Sequence, residues 1–208
     1  MRLQKLGHSC LLVEDAVARL LLDPGCFSED LSDIDGLTGV LVTHVHDDHL
    51  DVTRLLDVLK RNPSALIVCD EASAAVLADH GVTSRVVREG DRLDMGMPVD
   101  VFGRQHAPIH PELPDVPNVG YLIADRFFFA GDAFTIPDRP IDVLAVPVGG
   151  AWMKAAEAID WLRAVHPRHV VPVHDHGNVF APWICQLFAE LGPPGAAVTV
   201  LDRDPVAF

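Results

Sequence analysis

The sequence predicts an α/β protein in which two layers of sheet are covered by helices on their outer faces. Three observations carry that expectation. Strand-like runs come in groups early in each half of the chain, helical and strand-like segments alternate after each group, and metal-ligand residue types recur just past apolar runs. With 49% of its 208 residues hydrophobic, the chain can fill one substantial core. No linker, low-complexity tract or fixed-period repeat divides it, so one domain over residues 1–208 is expected.

Taken in order, Arg2 to Leu6, Ser9 to Val13, Val17 to Leu22 and Leu37 to Val42 read as strands separated by polar or Gly/Pro turns, which predicts a meander. Val52 to Arg61 sets Leu55, Leu56 and Leu59 at helical spacing, and Asn62-Pro63 stops it. Ala65 to Cys69 is then a strand, Glu71 to Asp79 a helix ended by Gly81, and Arg85 to Arg88 a strand. Val99 to Phe102, Tyr121 to Ala124, Phe127 to Ala130 and Val143 to Val148 form the second strand group, with a Pro-rich loop from Ala107 to Pro117 between its first two members. Ala155 to Val165 is a helix, His169 to Val173 a strand, Phe180 to Leu191 a helix and Ala197 to Leu201 a last strand.

Sixteen Lys and Arg against 30 Asp and Glu give a net charge of −14, and no Lys/Arg run exists. Binding through a nucleic-acid backbone needs clustered cations to displace counterions, so nucleic-acid partners are disfavoured. The four cysteines, Cys10, Cys26, Cys69 and Cys185, have no close pairs and sit mostly among apolar neighbours, as reduced residues do. The N-terminus lacks a signal-peptide apolar region and no 18-residue uncharged apolar stretch occurs. A soluble cytoplasmic protein without membrane contact is expected, and a homo-oligomer stays open.

The densest chemistry lies in Thr43-His44-Val45-His46-Asp47-Asp48-His49, directly after the apolar run Gly39 to Val42. A solvated turn would favour Gly, Asn and Ser over three imidazoles. The loop leaves the carboxyl end of a strand, where α/β folds place ligands, and His44 and His46 at i, i+2 can point the same way. Imidazole and carboxylate donors suit zinc, manganese or iron. Other strand ends supply the remainder. His106 follows the strand ending at Phe102, Asp132 follows the one ending at Ala130, and His174 directly follows Val173. Singly each has a bland reading, a structural histidine or a turn aspartate, but together with the loop they converge on one rim.

The His-x-His-x-Asp-His motif, followed in order by His106, Asp132 and His174, resembles the metallo-β-lactamase superfamily over nearly the whole chain. Leu6-Gly7-His8-Ser9 and Leu20-Leu21-Leu22-Asp23-Pro24 look like the compact branch that includes the ascorbate-6-phosphate lactonase-like proteins. The resemblance implies a four-layer αββα sandwich with two divalent metal ions at its rim. Zinc is the default, with manganese or iron open. It further implies His44, His46 and His106 around one ion, Asp48, His49 and His174 around the other, and Asp132 bridging them. Asp48 and Asp132 are then the catalytic candidates, Asp48 as ligand or proton shuttle.

Around this set, Asp23 is expected to orient a ligand imidazole, against the alternative of a turn carboxylate. His8, His110 and Trp152 are candidate substrate contacts, each weighed against ordinary packing or loop exposure. His176 competes with His174, which is preferred because it directly ends the strand, and Asp175 either orients an imidazole or faces water. Gly149-Gly150 is expected to offer backbone amides at a helix start. The reading is a binuclear hydrolase that uses metal-bound hydroxide on a small ester, lactone or phosphoester. The alternatives are an iron-dependent, persulfide-dioxygenase-like oxidoreductase and a non-catalytic metal-binding protein.

Overall fold

The computed structural model describes residues 1–208. The first half holds β1 (Arg2–Lys5), β2 (Leu11–Glu14), β3 (Arg19–Leu22), β4 (Gly39–Val42), α1 (Val52–Arg61), β5 (Leu66–Cys69), α2 (Glu71–Asp79) and β6 (Arg85–Val86). The second holds β7 (Arg92–Asp94), β8 (Pro98–Phe102), β9 (Gly120–Ile123), β10 (Phe127–Phe129), β11 (Val143–Pro147), α3 (Ala155–Val165), β12 (His169–Val173), α4 (Ala181–Leu191), β13 (Ala197–Val198) and β14 (Val206–Ala207). They make two seven-stranded sheets, ordered β14-β1-β2-β3-β4-β5-β6 and β13-β12-β11-β10-β9-β8-β7.

Three apolar clusters define four layers. One lies between the sheets, and period-2 alternation feeds it: Leu41, Phe127, Phe129 and Val143 point inward. Their neighbours turn outward, with Val40 and Val42 against α1 and α2, and Phe128 and Leu144 against α3 and α4. The αββα sandwich expected from the sequence is therefore what forms. Strands such as β4 and β11, buried on both faces, accordingly read as continuous apolar runs.

The helices begin where side chains can satisfy their free amides. Asp51 accepts from Arg54 N at 3.1 Å to start α1, and Asp70 accepts from Ala72 N and Ser73 N to start α2. At α3 the Glu157 carboxylate reaches back to Lys154 N at 2.7 Å.

Strand direction positions the site. β3, β4, β5 and β6 run parallel, and β1 runs with them because β2 is antiparallel to both β1 and β3. In the other sheet β8, β10, β11 and β12 share one direction. The loops that follow these strands carry every candidate ligand. Across the sheets the buried Tyr121 hydroxyl donates to Val42 O at 2.7 Å and Val119 N donates to Thr43 O at 2.9 Å, which fixes the first ligand loop against the second sheet.

Several expectations are corrected. The meander covers only β1 to β3: β4 joins parallel to β3, because the 16-residue connection from Asp23 to Thr38 crosses back before pairing. β7 and β14 were not expected; as edge pairings of two or three residues they carry too few side chains to show alternation. Ladder ends trim or shift most strands by one to a few residues, Ser9 to Val13 becoming Leu11–Glu14 and Ala197 to Leu201 becoming Ala197–Val198.

Candidate metal centre

His44 and His49 are fully buried, and His106 and Asp132 nearly so. His44, His46 and His106 form one group whose donor atoms could hold a cation, and His8, Asp48, His49 and His174 form another. Asp132 sits between them: Oδ1 is 3.1 Å from His49 Nε2, and Oδ2 is 3.2 Å from His174 Nε2 and 3.4 Å from His106 Nε2. Asp48 Oδ2 is 3.3 Å from His174 Nε2 and 3.8 Å from His49 Nε2.

The hydrogen-bond network places the ring protons of His49, His106 and His44 on Nδ1. His49 Nδ1 donates to Asp23 Oδ2 at 2.6 Å, and His106 Nδ1 donates to Ala107 O at 2.5 Å. Thr43 Oγ1 donates to Asp23 Oδ2 at 2.6 Å, so it accepts from His44 Nδ1 at 3.0 Å. Asp23, which also takes Thr43 N at 2.8 Å, thus orients two imidazoles of one loop. The Nε2 lone pairs of His49 and His106 are left facing Asp132 oxygens without hydrogen-bond partners, as is His174 Nε2. Acceptors facing acceptors in a buried site repel unless a cation lies among them, and this donor set fits divalent zinc, manganese or iron.

The site demands positive charge among these groups, and the shifts of its members reflect that demand. Burial opposes ionisation of Asp132, but the neighbouring His49, His106 and His174 hold its pKa well below the carboxylate range. Burial likewise opposes Asp48, which His174 and His8 hold low. Burial works against charge on His49, yet Asp132 and Asp23 raise its pKa well above the ordinary imidazole value. His174, against burial, is raised to about 9 by Asp132 and Asp48. Burial dominates at His44, lowering it well below the usual value.

Backbone strain collects here. His8, Asp23 and His174 are non-glycine residues with φ of 52°, 43° and 59°, left-handed values that cost energy unless the surroundings impose them. His174 N donates to His8 O at 3.2 Å, and His176 N donates to His8 Nδ1 at 3.1 Å. With Nδ1 accepting, the proton of neutral His8 is on Nε2, which donates to Asp48 Oδ2 at 3.1 Å. His8, expected at the substrate, therefore faces Asp48 from a buried position.

Trp152 is buried, its ring 5.7 Å from that of His106 and 6.3 Å from that of His174, and its indole N–H has no partner. His110 is exposed on the Pro-rich loop, where Nδ1 accepts from Glu112 N at 3.2 Å. His176 stacks on Phe27 at 4.0 Å and belongs to neither ligand group. Two expectations fail. Asp175 neither holds an imidazole nor simply faces water: it pairs with the buried Lys5 at 2.5 Å. Gly149-Gly150 does not start a helix, because α3 begins only at Ala155; Gly150 instead lies against the Trp152 indole.

Sequence reading missed Thr43, Asn118 and Lys5. Fully buried Asn118 donates to Ala130 O at 2.8 Å and accepts from Asp132 N at 3.1 Å, gripping the turn that presents Asp132. Its only sequence signal is a polar residue among the apolar Val116, Val119 and Tyr121.

Residues 2–174 match the family described as the beta-lactamase superfamily domain. Protein Rv0786c of Mycobacterium tuberculosis is 46% identical over 180 residues, covering 84% of each chain. A UPF0173 metal-dependent hydrolase of Nanoarchaeum equitans is 27% identical over 191 residues, covering 84% of this chain and 83% of its own. Among solved structures, Igni18, a metallo hydrolase of Ignicoccus hospitalis, superimposes with a TM-score of 0.74 at 20% identity, covering 100% of this chain and 98% of its own.

Proposed function

The chain belongs to the metallo-β-lactamase superfamily, and from that premise we propose that it is a metal-dependent hydrolase of a small ester, lactone or phosphoester. The observation that carries the reading is the set of buried imidazole Nε2 atoms turned on Asp132 without partners. His44, His46 and His106 would hold one divalent ion, Asp48, His49 and His174 a second, and Asp132 would touch both. Zinc is the first choice, with manganese or iron accommodated by the same donors. Bound there, such ions lower the pKa of water and stabilise the oxyanion formed at a carbonyl or phosphoryl centre.

The chain's own residues supply the rest. Asp48 is the carboxylate of the cluster that solvent reaches, its side chain 25% exposed against 4% for Asp132. Held low against burial by His174 and His8, Asp48 would relay and not retain the proton released as water attacks, while the His8 N–H holds its orientation. Asp132, shielded and ionised, keeps its charge throughout. Trp152, its ring near those of His106 and His174, would wall the substrate site, and His110, in the lining of the Pro-rich-loop cavity, would donate to a substrate oxygen. A small molecule is the expected partner, since a net charge of −14 opposes nucleic acid. No helix is long and apolar enough to cross a membrane, and four unpaired cysteines suit the cytosol.

The test is a panel of esters, lactones and phosphodiesters offered to zinc- and manganese-loaded protein. Hydrolysis of one class, lost on chelation and restored by metal, is expected. Tight metal binding with no turnover across the panel would contradict the reading.

A further inference from the structure

Two cavities flank the ligand cluster, and their walls differ in kind. On the His8 side a cavity of about 310 Å³ is lined by charged groups, among them Lys5, Glu29, Asp175 and Asp202. On the His106 side a cavity of about 230 Å³ lies within the Pro-rich loop, and apart from His106, His110 and Asp115 its walls carry no polar side chain. The loop is tied to the site at its base: His106 N donates to Val116 O at 2.9 Å and Ala107 N donates to Asp132 O at 2.8 Å. Pro108, Pro111, Pro114 and Pro117 fix φ along it, so the cavity is held in place and does not need to be ordered by a ligand.

Ile109 and Leu113, which help line this cavity, are 45% and 53% exposed. A volume of about 230 Å³ is roughly that of eight waters, far too small for a helix or strand of a partner and matched to one short apolar group. Since His106 both lines this cavity and belongs to the ligand cluster, a group seated there has its attached carbonyl next to the cluster.

Building on the hydrolase reading, we infer that the Pro-rich loop is an acyl pocket, so the substrate is an ester or lactone with a short alkyl chain on its acyl side. Water adds to the carbonyl, the C–O bond to the alcohol oxygen breaks, that oxygen takes one water proton (leaving as the alcohol from an ester, staying tethered in an opened lactone), the other proton passes to solvent, and the carboxylate product keeps its alkyl chain in the cavity. The polar alcohol portion points toward the Lys5 and Asp202 side. Leu113 and Ile109 set the chain length accepted, because they are the largest apolar side chains in the cavity lining.

Calorimetric titration of zinc-loaded protein with acetate, butyrate and hexanoate tests this without turnover. Full burial of a methylene is worth about fourfold in affinity, so affinity should rise by about two- to fourfold per methylene. In Leu113→Asn and Ile109→Asn, folded by circular dichroism and metal-loaded, that slope should fall by about half or more. Equal affinities across the series, or variants with the parental slope, would overturn the proposal. So would a dimer that dissociates on Leu113→Asn, which would assign the cavity to a side chain of a second copy. A parallel ester and phosphodiester assay separates the two readings: alkyl-dependent binding without hydrolysis removes the hydrolase and keeps the pocket, while hydrolysis without chain-length dependence does the reverse.

Discussion

The amino-terminal sheet delivers His44, His46, Asp48 and His49 from one short loop after β4, whereas the carboxyl-terminal sheet delivers His106, Asp132 and His174 from three strand ends. The difference extends to how they are held. In the compact loop one buried carboxylate, Asp23, orients two imidazoles, directly at His49 and through Thr43 at His44. The dispersed ligands need a device each: Ala107 O for His106, Asn118 for Asp132, and His8 O on the backbone of His174. Clustering economises on supports, and a single support then carries more of the site.

The largest effect should come from Asp132, the group shared by both halves. Asp132→Ala is expected to abolish hydrolysis and lower metal content while circular dichroism stays native, and His46→Ala should do the same from the other sheet. An Asp132→Ala protein with parental turnover would break the comparison outright.

Supports come next. Asp23→Asn should weaken metal binding by about 10- to 100-fold, the usual cost of removing a partner that orients ligands. Asn118→Ala, which frees one turn only, should weaken it less, while costing about 1–3 kcal/mol in stability for the backbone groups left unpaired in the core. Competitive chelator titration and denaturant unfolding read the two quantities, and a larger metal effect at Asn118 would reverse the argument.

Smaller still are His110→Ala and Trp152→Ala, which should lower kcat/KM by about tenfold without releasing metal, since they orient substrate and ligate nothing. Metal loss in either would move that residue into the ligand support.

The smallest effect lies at the far end of the second sheet. Arg126 and Arg168 donate to Asp142 at 2.6 and 2.7 Å and, through those bonds, hold its pKa at about 2. A depressed carboxylate stabilises the fold above its unfolded pKa, and the contribution fades as pH falls through the folded value. Asp142→Asn should therefore lower Tm by about 2–4 °C at pH 7, with the gap closing between about pH 4 and 2. A gap that persists at pH 2 would assign the effect to packing.

The same contrast explains what the sequence disclosed. Helices α1, α2 and α3 were legible to the residue because caps and stops are local: Asn62-Pro63 after α1, and Gly81 soon after α2. The 44–49 loop was legible because its ligands are neighbours. His106, Asp132 and His174 could be ranked because each follows an apolar strand, and the resemblance supplied their grouping. What stayed hidden depends on approaches between residues distant in sequence. Lys5 meets Asp175 only once β1 and β12 bring their carboxyl ends to one rim, and His8 meets Asp48 only once β1 and β4 do. Asn118 reads as an ordinary loop residue until the turn at Asp132 folds over it. The parallel pairing of β3 with β4 was missed for a related reason, since composition does not encode the direction in which a long connection returns.

The account stands on two cations shared between the sheets, and elemental analysis of the purified protein after reconstitution tests that most directly. It predicts two transition-metal ions per chain in the parent and substantial loss in Asp132→Ala. No more than one ion per chain at saturating metal would contradict it.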